Sequence, residues 1–224
     1  MEQYKIDFAH FLVRAKALKF GSFTLKSGRQ APYFLNAGCF YSGENLHQLG
    51  RFYAKALLAS GLEPDVLFGP AYKGIPLAVA TCNVLFSDFQ KNLAYSFNRK
   101  EEKDHGADAK SVMVGVPLTP ESRLVLIDDV ITAGTAVRES VEVLKANGNP
   151  KIIGILIALN RMEKNNDGEN ALAQIETTLG VPVISIVTLD EVIEALHNQA
   201  VDGEVVLDDA RLAEITAYRK EYGV

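Results

Sequence analysis

One stretch limits the possible folds more than any other: Val125-Leu126-Ile127-Asp128-Asp129-Val130-Ile131-Thr132-Ala133-Gly134-Thr135-Ala136, an apolar run closed by two adjacent acids and a Thr/Gly turn. Arg123 to Ile127 is too apolar to alternate, the pattern of a parallel strand covered on both faces. From Ala136 onward Val137, Val141 and Leu144 recur at helical spacing until Gly148 stops the run. Strand, loop and helix start follow one another, and α/β sheets bind ligands at such carboxyl ends of strands. The turn predicts a phosphate cup, because the first N–H groups of a helix are unpaired and carry its positive dipole end. Thr132, Gly134 and Thr135 suit that cup, whereas Asp128 and Asp129 would repel phosphate. Acids beside a phosphate cup fit a ligand that also carries hydroxyls or a metal, such as a ribose 5-phosphate. An isolated Asp-Asp pair is more simply a turn opener with a solvated neighbour; the acids, the glycine and both threonines together favour the ligand.

The chain has 224 residues, 48% of them hydrophobic, enough to bury a substantial core in one globular domain with a small appendage. A net charge of -5 argues against a nucleic-acid partner, which normally meets a basic surplus. The amino terminus shows no cleavable signal pattern and no apolar run reaches bilayer length, so no membrane partner is expected. Cys39 and Cys82 lack metal-ligand spacing and read as buried thiols in a reducing compartment. A cytoplasmic enzyme is the expectation.

Phe8, Phe11, Leu12, Ala15 and Leu18 share a helical face and predict an amphipathic first helix, serving as a lid or a subunit contact. Phe20 to Asn36 reads as two short extended pieces around Ser27-Gly28, a hairpin-like hood. By spacing alone Lys26 is a solvated turn residue. Leu46, Leu49, Tyr53, Ala56 and Leu57 predict a second helix closed by Gly61, and Val66-Leu67-Phe68 the first core strand. Gly69-Pro70-Ala71-Tyr72-Lys73-Gly74 then fits either a second anion cup suited to pyrophosphate or a βα turn with an incidental Lys. Leu93 to Phe97 and Val112 to Val114 predict a strand and its hairpin partner, leaving Asn98 to Ser111 as a long polar connector. Its Arg99, Lys100, Lys103, His105 and Lys110 are offset by acids, as in a solvated charge run. Ile152 to Leu159 predicts another buried strand ending at Asn160-Arg161, where Arg161 either binds a carboxylate bidentately or snorkels. Glu169 to Leu179 predicts a helix and Val183 to Val187 a strand; Thr188 with Glu191 forms a capping box, and Asp208 caps the last helix.

VLIDDVITAGTA resembles the phosphoribosyl-pyrophosphate (PRPP) signature of the type I phosphoribosyltransferases. TLKSGRQAPYFLNAG, FGPAYKGIPLA, FNRKEEKDHG and ALNR stand in the order and approximate spacing of the orotate phosphoribosyltransferase family. The resemblance runs from about Leu25 to Arg161, and the tail fits the same architecture. It implies the type I phosphoribosyltransferase fold: α/β, a central, mainly parallel sheet flanked by helices, with a small N-terminal hood. The single domain would have its hood mainly in residues 1–40, a PRPP-binding core at about 44–190 and C-terminal helices at about 189–224. The implied activity is a pentosyl transfer from PRPP to orotate, giving orotidine 5'-monophosphate and pyrophosphate in de novo pyrimidine (UMP) biosynthesis. Mg²⁺ is implied as cofactor, bound mainly through PRPP, with no residue assigned as a direct ligand. In the family a mobile loop reaches into the neighbouring subunit's site, which implies a homodimer with shared active sites.

The resemblance also assigns residues. Lys26, Tyr72, Lys73, Arg99, Lys100, Lys103 and His105 are implied PRPP contacts, with Asp128, Asp129, Val130, Ile131, Thr132, Ala133, Gly134, Thr135 and Ala136. Lys26, Phe34, Leu35, Thr132 and Arg161 are implied orotate contacts, and Lys103, His105, Asp128 and Asp129 the catalytic set. Where many relatives have two Phe, this chain has Phe34-Leu35. A backbone contact to the base survives that change, while ring stacking through position 35 does not.

Overall fold

The computed structural model describes residues 1–25, 28–100, 112–165 and 167–224. Lys26, Lys103, His105 and Lys110 lie outside the described residues. The chain runs α1 (Gln3–Arg14), β1 (Leu18–Thr24), β2 (Gln30–Leu35), α2 (Gly43–Ala59), β3 (Val66–Phe68), α3 (Gly74–Phe89), β4 (Ala94–Asn98), β5 (Met113–Gly115), β6 (Arg123–Asp128) and α4 (Thr135–Ala146). It continues through β7 (Lys151–Asn160), α5 (Ala171–Leu179), β8 (Val183–Thr188), α6 (Leu189–Leu196), β9 (Ala200–Val201), β10 (Glu204–Val205) and α7 (Asp209–Tyr222). No helix among the described residues is long and apolar enough to cross a membrane.

Six strands form the central sheet in the order β5-β4-β3-β6-β7-β8, parallel except for the antiparallel edge strand β5. The unbroken apolar run of β6 has a simple cause, since successive side chains point to opposite faces and both faces are covered. Val125 and Ile127 enter a core shared with α2 and α3, while Leu124 and Leu126 enter a second one against Val137, Val141 and Leu144 of α4. The hood is the antiparallel pair β1–β2, its register slipping between Phe20 and Phe23. Thr188 and Glu191 complete the capping box of α6, and Asp208 accepts from the Arg211 N–H to cap α7.

Three local features differ from the sequence reading. α1 stops at Arg14 because Lys16 turns to φ 56°, and Leu18 opens β1 instead of extending the helical face. α1 also packs into the body: Phe8 lies 5.0 Å from Phe52, Phe11 5.4 Å from Phe40, and Lys5 bridges Glu191 at 2.6 Å. α5 begins at Ala171, since the Asn170 side chain accepts from the Leu172 and Ala173 N–H groups and so acts as its cap. The β9–β10 hairpin was not foreseen, although Asp202-Gly203 with both φ positive is a favoured hairpin turn. Its two-residue strands are too short to show a period.

α2 and α3 touch closely at Gly50, where a Cβ would lie 2.7 Å from the Ala80 carbonyl oxygen. Alanine gains up to about 1 kcal/mol in helix propensity over glycine, but overpacking against rigid backbone costs about 1–3 kcal/mol. Gly50→Ala is therefore expected to lower stability by about 1–2 kcal/mol, read from the urea unfolding midpoint. A midpoint at or above the parent's would show that the helices separate freely.

Candidate active site

β3 and β6 are neighbours, yet the chain leaves β3 through α3 toward β4 on one side and leaves β6 through α4 toward β7 on the other. This is a topological switch point, the place where open α/β sheets leave a crevice. The turns after the two strands, Gly69 to Gly74 and Asp129 to Gly134, open side by side. Their closeness demands glycine: a Cβ on Gly69 would lie 2.1 Å from the Gly74 carbonyl oxygen, and one on Gly74 would lie 2.8 Å from that of Ile127. Between them lies a cup of about 570 Å³, lined by Pro70, Ala71, Tyr72, Lys73, Lys100 and residues 128–137. Gly134 caps α4 at φ 71° and offers no side-chain acceptor, so the first-turn N–H groups of α4 stay open to an anion.

The acids occupy different surroundings. Asp129 is 6% exposed and accepts from its neighbour's Val130 N–H at 2.9 Å and from Lys73 Nζ at 2.7 Å. Asp128 accepts from the Asp129 N–H at 2.9 Å, and Tyr53 donates its hydroxyl to the Asp128 carbonyl at 2.8 Å. Burial first, then the neighbouring Asp129, push the Asp128 carboxyl up to about 7, against a smaller opposing pull from Lys73. Lys100 Nζ lies 5.1 Å over the Tyr72 ring, and Lys73 and Lys100 both line the cup. The Asn98 side chain accepts from the Ala71 N–H at 3.1 Å, and the Ala71–Tyr72 peptide bond is cis. An open helix end, two lysines and one acid that holds a proton near neutrality suit a phosphorylated, polyanionic ligand with hydroxyls.

The structure thus brings together Tyr72, Lys73, Lys100, Asp128, Asp129, Val130, Ile131, Thr132, Ala133, Gly134, Thr135 and Ala136. Ile131 is 7% exposed, its side chain in the smaller core. Arg99 is not on this lining; it borders a separate shallow cavity with residues 113–118, and its N–H donates to the Val112 carbonyl. Phe34 sits on the hood, 40% exposed and 5.7 Å from Phe23, while Leu35 packs on the larger core. Arg161 lies beneath the hood against Tyr33 and Glu163, apart from the cup lining. Sequence reasoning missed four supporting residues: Tyr53, counted only as a core face of its helix, Asn98, Tyr33 and Glu163. No periodicity marks a hydroxyl that reaches a distant carbonyl, or a carboxylate three residues beyond a strand end.

Asp128 binds its proton more tightly in the folded chain than at its ordinary value of 3.8. Ionising it therefore costs stability as pH climbs from that value toward 7, and Asp128→Asn removes this loss. Urea unfolding of the ligand-free chain between about pH 5 and about pH 8 should show the parent losing stability relative to the variant. Parallel pH profiles would rule out this carboxyl as the titrating group.

The family model described as a phosphoribosyl transferase domain matches residues 39–177, a span that contains both turns. The chain is 49% identical over 224 residues to an orotate phosphoribosyltransferase of Pseudomonas aeruginosa, covering 100% of each chain. It is 45% identical over 225 residues to the orotate phosphoribosyltransferase of Lachnoclostridium phytofermentans, covering 100% of this chain and 99% of that one. The crystal structure of an orotate phosphoribosyltransferase from Francisella tularensis matches with a TM-score of 0.83 and 37% identity, over 97% of this chain and 100% of that chain. Likeness of this degree reaches from the hood to the last helix, far beyond the signature turn, and the chain therefore belongs to the orotate phosphoribosyltransferase family, with the type I phosphoribosyltransferase fold.

Proposed function

We propose that the chain transfers the 5-phosphoribosyl group from PRPP to orotate, giving orotidine 5'-monophosphate and pyrophosphate in de novo pyrimidine biosynthesis. The observation that carries this reading is the cup at the switch point, lined by the uncapped start of α4 together with Lys73 and Lys100, in a chain nearly half identical over its full length to orotate phosphoribosyltransferases. Displacement at the ribose anomeric carbon builds positive charge on the ring as pyrophosphate departs, so catalysis rests on positioning and on neutralising the leaving group. No covalent nucleophile is needed. The Thr132 to Thr135 turn takes the 5'-phosphate, Asp128 and Asp129 face the ribose hydroxyls, and Tyr72, Lys73 and Lys100 take the pyrophosphate. The Lys73 side chain is 66% exposed, so its bridge to Asp129 is weak enough for a polyanion to draw the ammonium away.

Mg²⁺ belongs to the proposal. No group of three His, Cys, Asp or Glu that could hold a metal stands among the described residues. Mg²⁺ commonly binds through one or two carboxylates plus substrate phosphates and keeps several waters, so Asp128 and Asp129 would meet it largely by way of PRPP. When bound, it neutralises charge on the departing pyrophosphate. For the base we assign Lys26, Phe34, Leu35, Thr132 and Arg161. Arg161 is supported by its Nη1, which makes no hydrogen bond among the described residues and can take a carboxylate. The single domain is divided as the sequence implies, into hood, PRPP-binding core and C-terminal helices. We place the enzyme in the cytoplasm, where the free thiols Cys39 and Cys82 stay reduced.

An ultraviolet assay with orotate, PRPP and Mg²⁺ tests the activity: consumption of orotate that requires all three supports it, and none overturns it. Asp128→Asn/Asp129→Asn is expected to stay folded and lose most turnover, since amides keep the shape and remove the charges. The proposed homodimer shares its sites, with Lys103 and His105 acting in the neighbouring subunit. Lys103→Ala is expected to lower turnover on the order of 10²-fold, as for a removed transition-state donor. Mixing it with the double Asn variant should restore part of the activity, because one site of each heterodimer receives both intact parts. Verified subunit exchange without recovery would show that Lys103 serves its own subunit or none.

A further inference from the structure

Beneath the hood lies a buried ionic cluster. Arg161 Nη2 donates to Glu163 at 2.9 Å, and Arg161 Nε reaches the Tyr33 hydroxyl at 3.5 Å. Tyr33 donates its hydroxyl to the same Glu163 carboxylate, and the guanidinium stands 5.5 Å from the centre of the Tyr33 ring. The Arg161 and Glu163 side chains are 14% and 8% exposed, and Tyr33 is 1% exposed. Tyr33 comes from β2, and Glu163 follows the end of β7, so the three residues tie the hood to the central sheet.

The end of the chain braces this cluster. Glu163 forms an isolated antiparallel bridge with Gly223, and the Lys164 N–H donates to the Tyr222 carbonyl at 2.7 Å. The Val224 N–H donates to the Met162 carbonyl at 3.0 Å, and Tyr218 stands edge-on to Tyr33 at 6.4 Å.

A buried ion pair is a poor source of stability, because desolvation offsets most of the attraction. Geometry is what this pair supplies. With Nε turned to Tyr33 and Nη2 held by Glu163, the guanidinium plane has one orientation, and among the described residues the Nη1 side is left to meet a second carboxylate. Tyr33 shares the Glu163 charge, so Glu163 holds the guanidinium without claiming all of its donors.

We infer that Glu163, clamped by Tyr33 and braced by the Tyr222 to Val224 segment, is a positioning residue that sets the orientation of Arg161 and thereby the preference for a base bearing a carboxylate. The inference rests on the reading of Arg161 as the partner of the orotate carboxylate.

A double-mutant cycle separates the two ideas. Glu163→Gln is expected to raise the KM for orotate about tenfold, one hydrogen-bond-sized step, while kcat and the KM for PRPP stay within about twofold. Tyr33→Phe, which keeps the ion pair and removes one hydroxyl, should raise the orotate KM by about threefold and serves if Glu163→Gln melts too low to assay. In an Arg161→Leu background, Glu163→Gln should add nothing to the orotate KM, because no guanidinium remains to be oriented. A merely structural role would shift both substrates and persist in that background. If Arg161→Leu alone leaves the orotate KM unchanged, the Arg161 reading fails. If Arg161→Leu raises it while Glu163→Gln and Tyr33→Phe leave it level or lower it, the positioning role is wrong and Glu163 competes with the base.

Discussion

The pairing of β3 with β6 is the constraint on which the rest of the molecule depends. Because the two strands lead to helices on opposite sides of the switch point, their carboxyl-end turns have no crossover between them and open into the same space. Backbone approaches backbone so tightly that neither Gly69 nor Gly74 can carry a Cβ. Hydrogen bonds hold the first turn from outside the cup, through the Gly69 N–H to the Ser96 carbonyl at 3.0 Å and the Ala71 N–H to the Asn98 side chain at 3.1 Å. The second turn is anchored to β7, where the Ala158 N–H donates to the Asp129 carbonyl at 2.9 Å. Both loops are therefore tied to neighbouring strands by hydrogen bonds.

Charge is distributed in that cup by burial as much as by residue type. Asp128 and Asp129 are neighbours in sequence, yet one is met by an ammonium at 2.7 Å, and the other is lifted toward neutrality by burial and by its partner. The raised proton affinity of Asp128 eases repulsion between the adjacent carboxyls. The bridge from Lys73 to Asp129 spans the two turns, and the exposure of the lysine keeps it exchangeable. Positive potential then comes from two sources that do not compete for the same space: the open N-terminus of α4 and the ammonium groups of Lys73 and Lys100.

The hood and the tail meet on the other side of the sheet end. β2 carries Tyr33 down to Glu163, and α7 returns the last residues of the chain to the segment that follows Arg161. Arg29 adds to this seam, donating to the Lys164 and Asn165 carbonyls at 2.9 Å each and resting 4.7 Å over the Tyr222 ring. Segments from both ends of the chain thus shape the surroundings of one guanidinium.

Much of the architecture was legible in the sequence because it rests on periodicity and on local turn chemistry. β6, its Thr/Gly turn and α4 follow from an apolar run, a glycine that can take φ 71° and a helical repeat, and the caps at Thr188 and Asp208 follow from side chains acting on nearby N–H groups. The cup was legible for the same reason, as both of its turns are continuous stretches of chain. Tertiary structure alone decided what depends on distant residues meeting: α1 folding into the body through Phe52 and Phe40, Tyr53 reaching the Asp128 carbonyl, and Arg161 held by Tyr33 and Glu163. It also separated Arg99 from Lys100, adjacent residues of which only the second lines the cup. A pattern along the chain can say which face of an element is buried, but the partner of a buried polar group is set by how whole elements pack, and that information is not local.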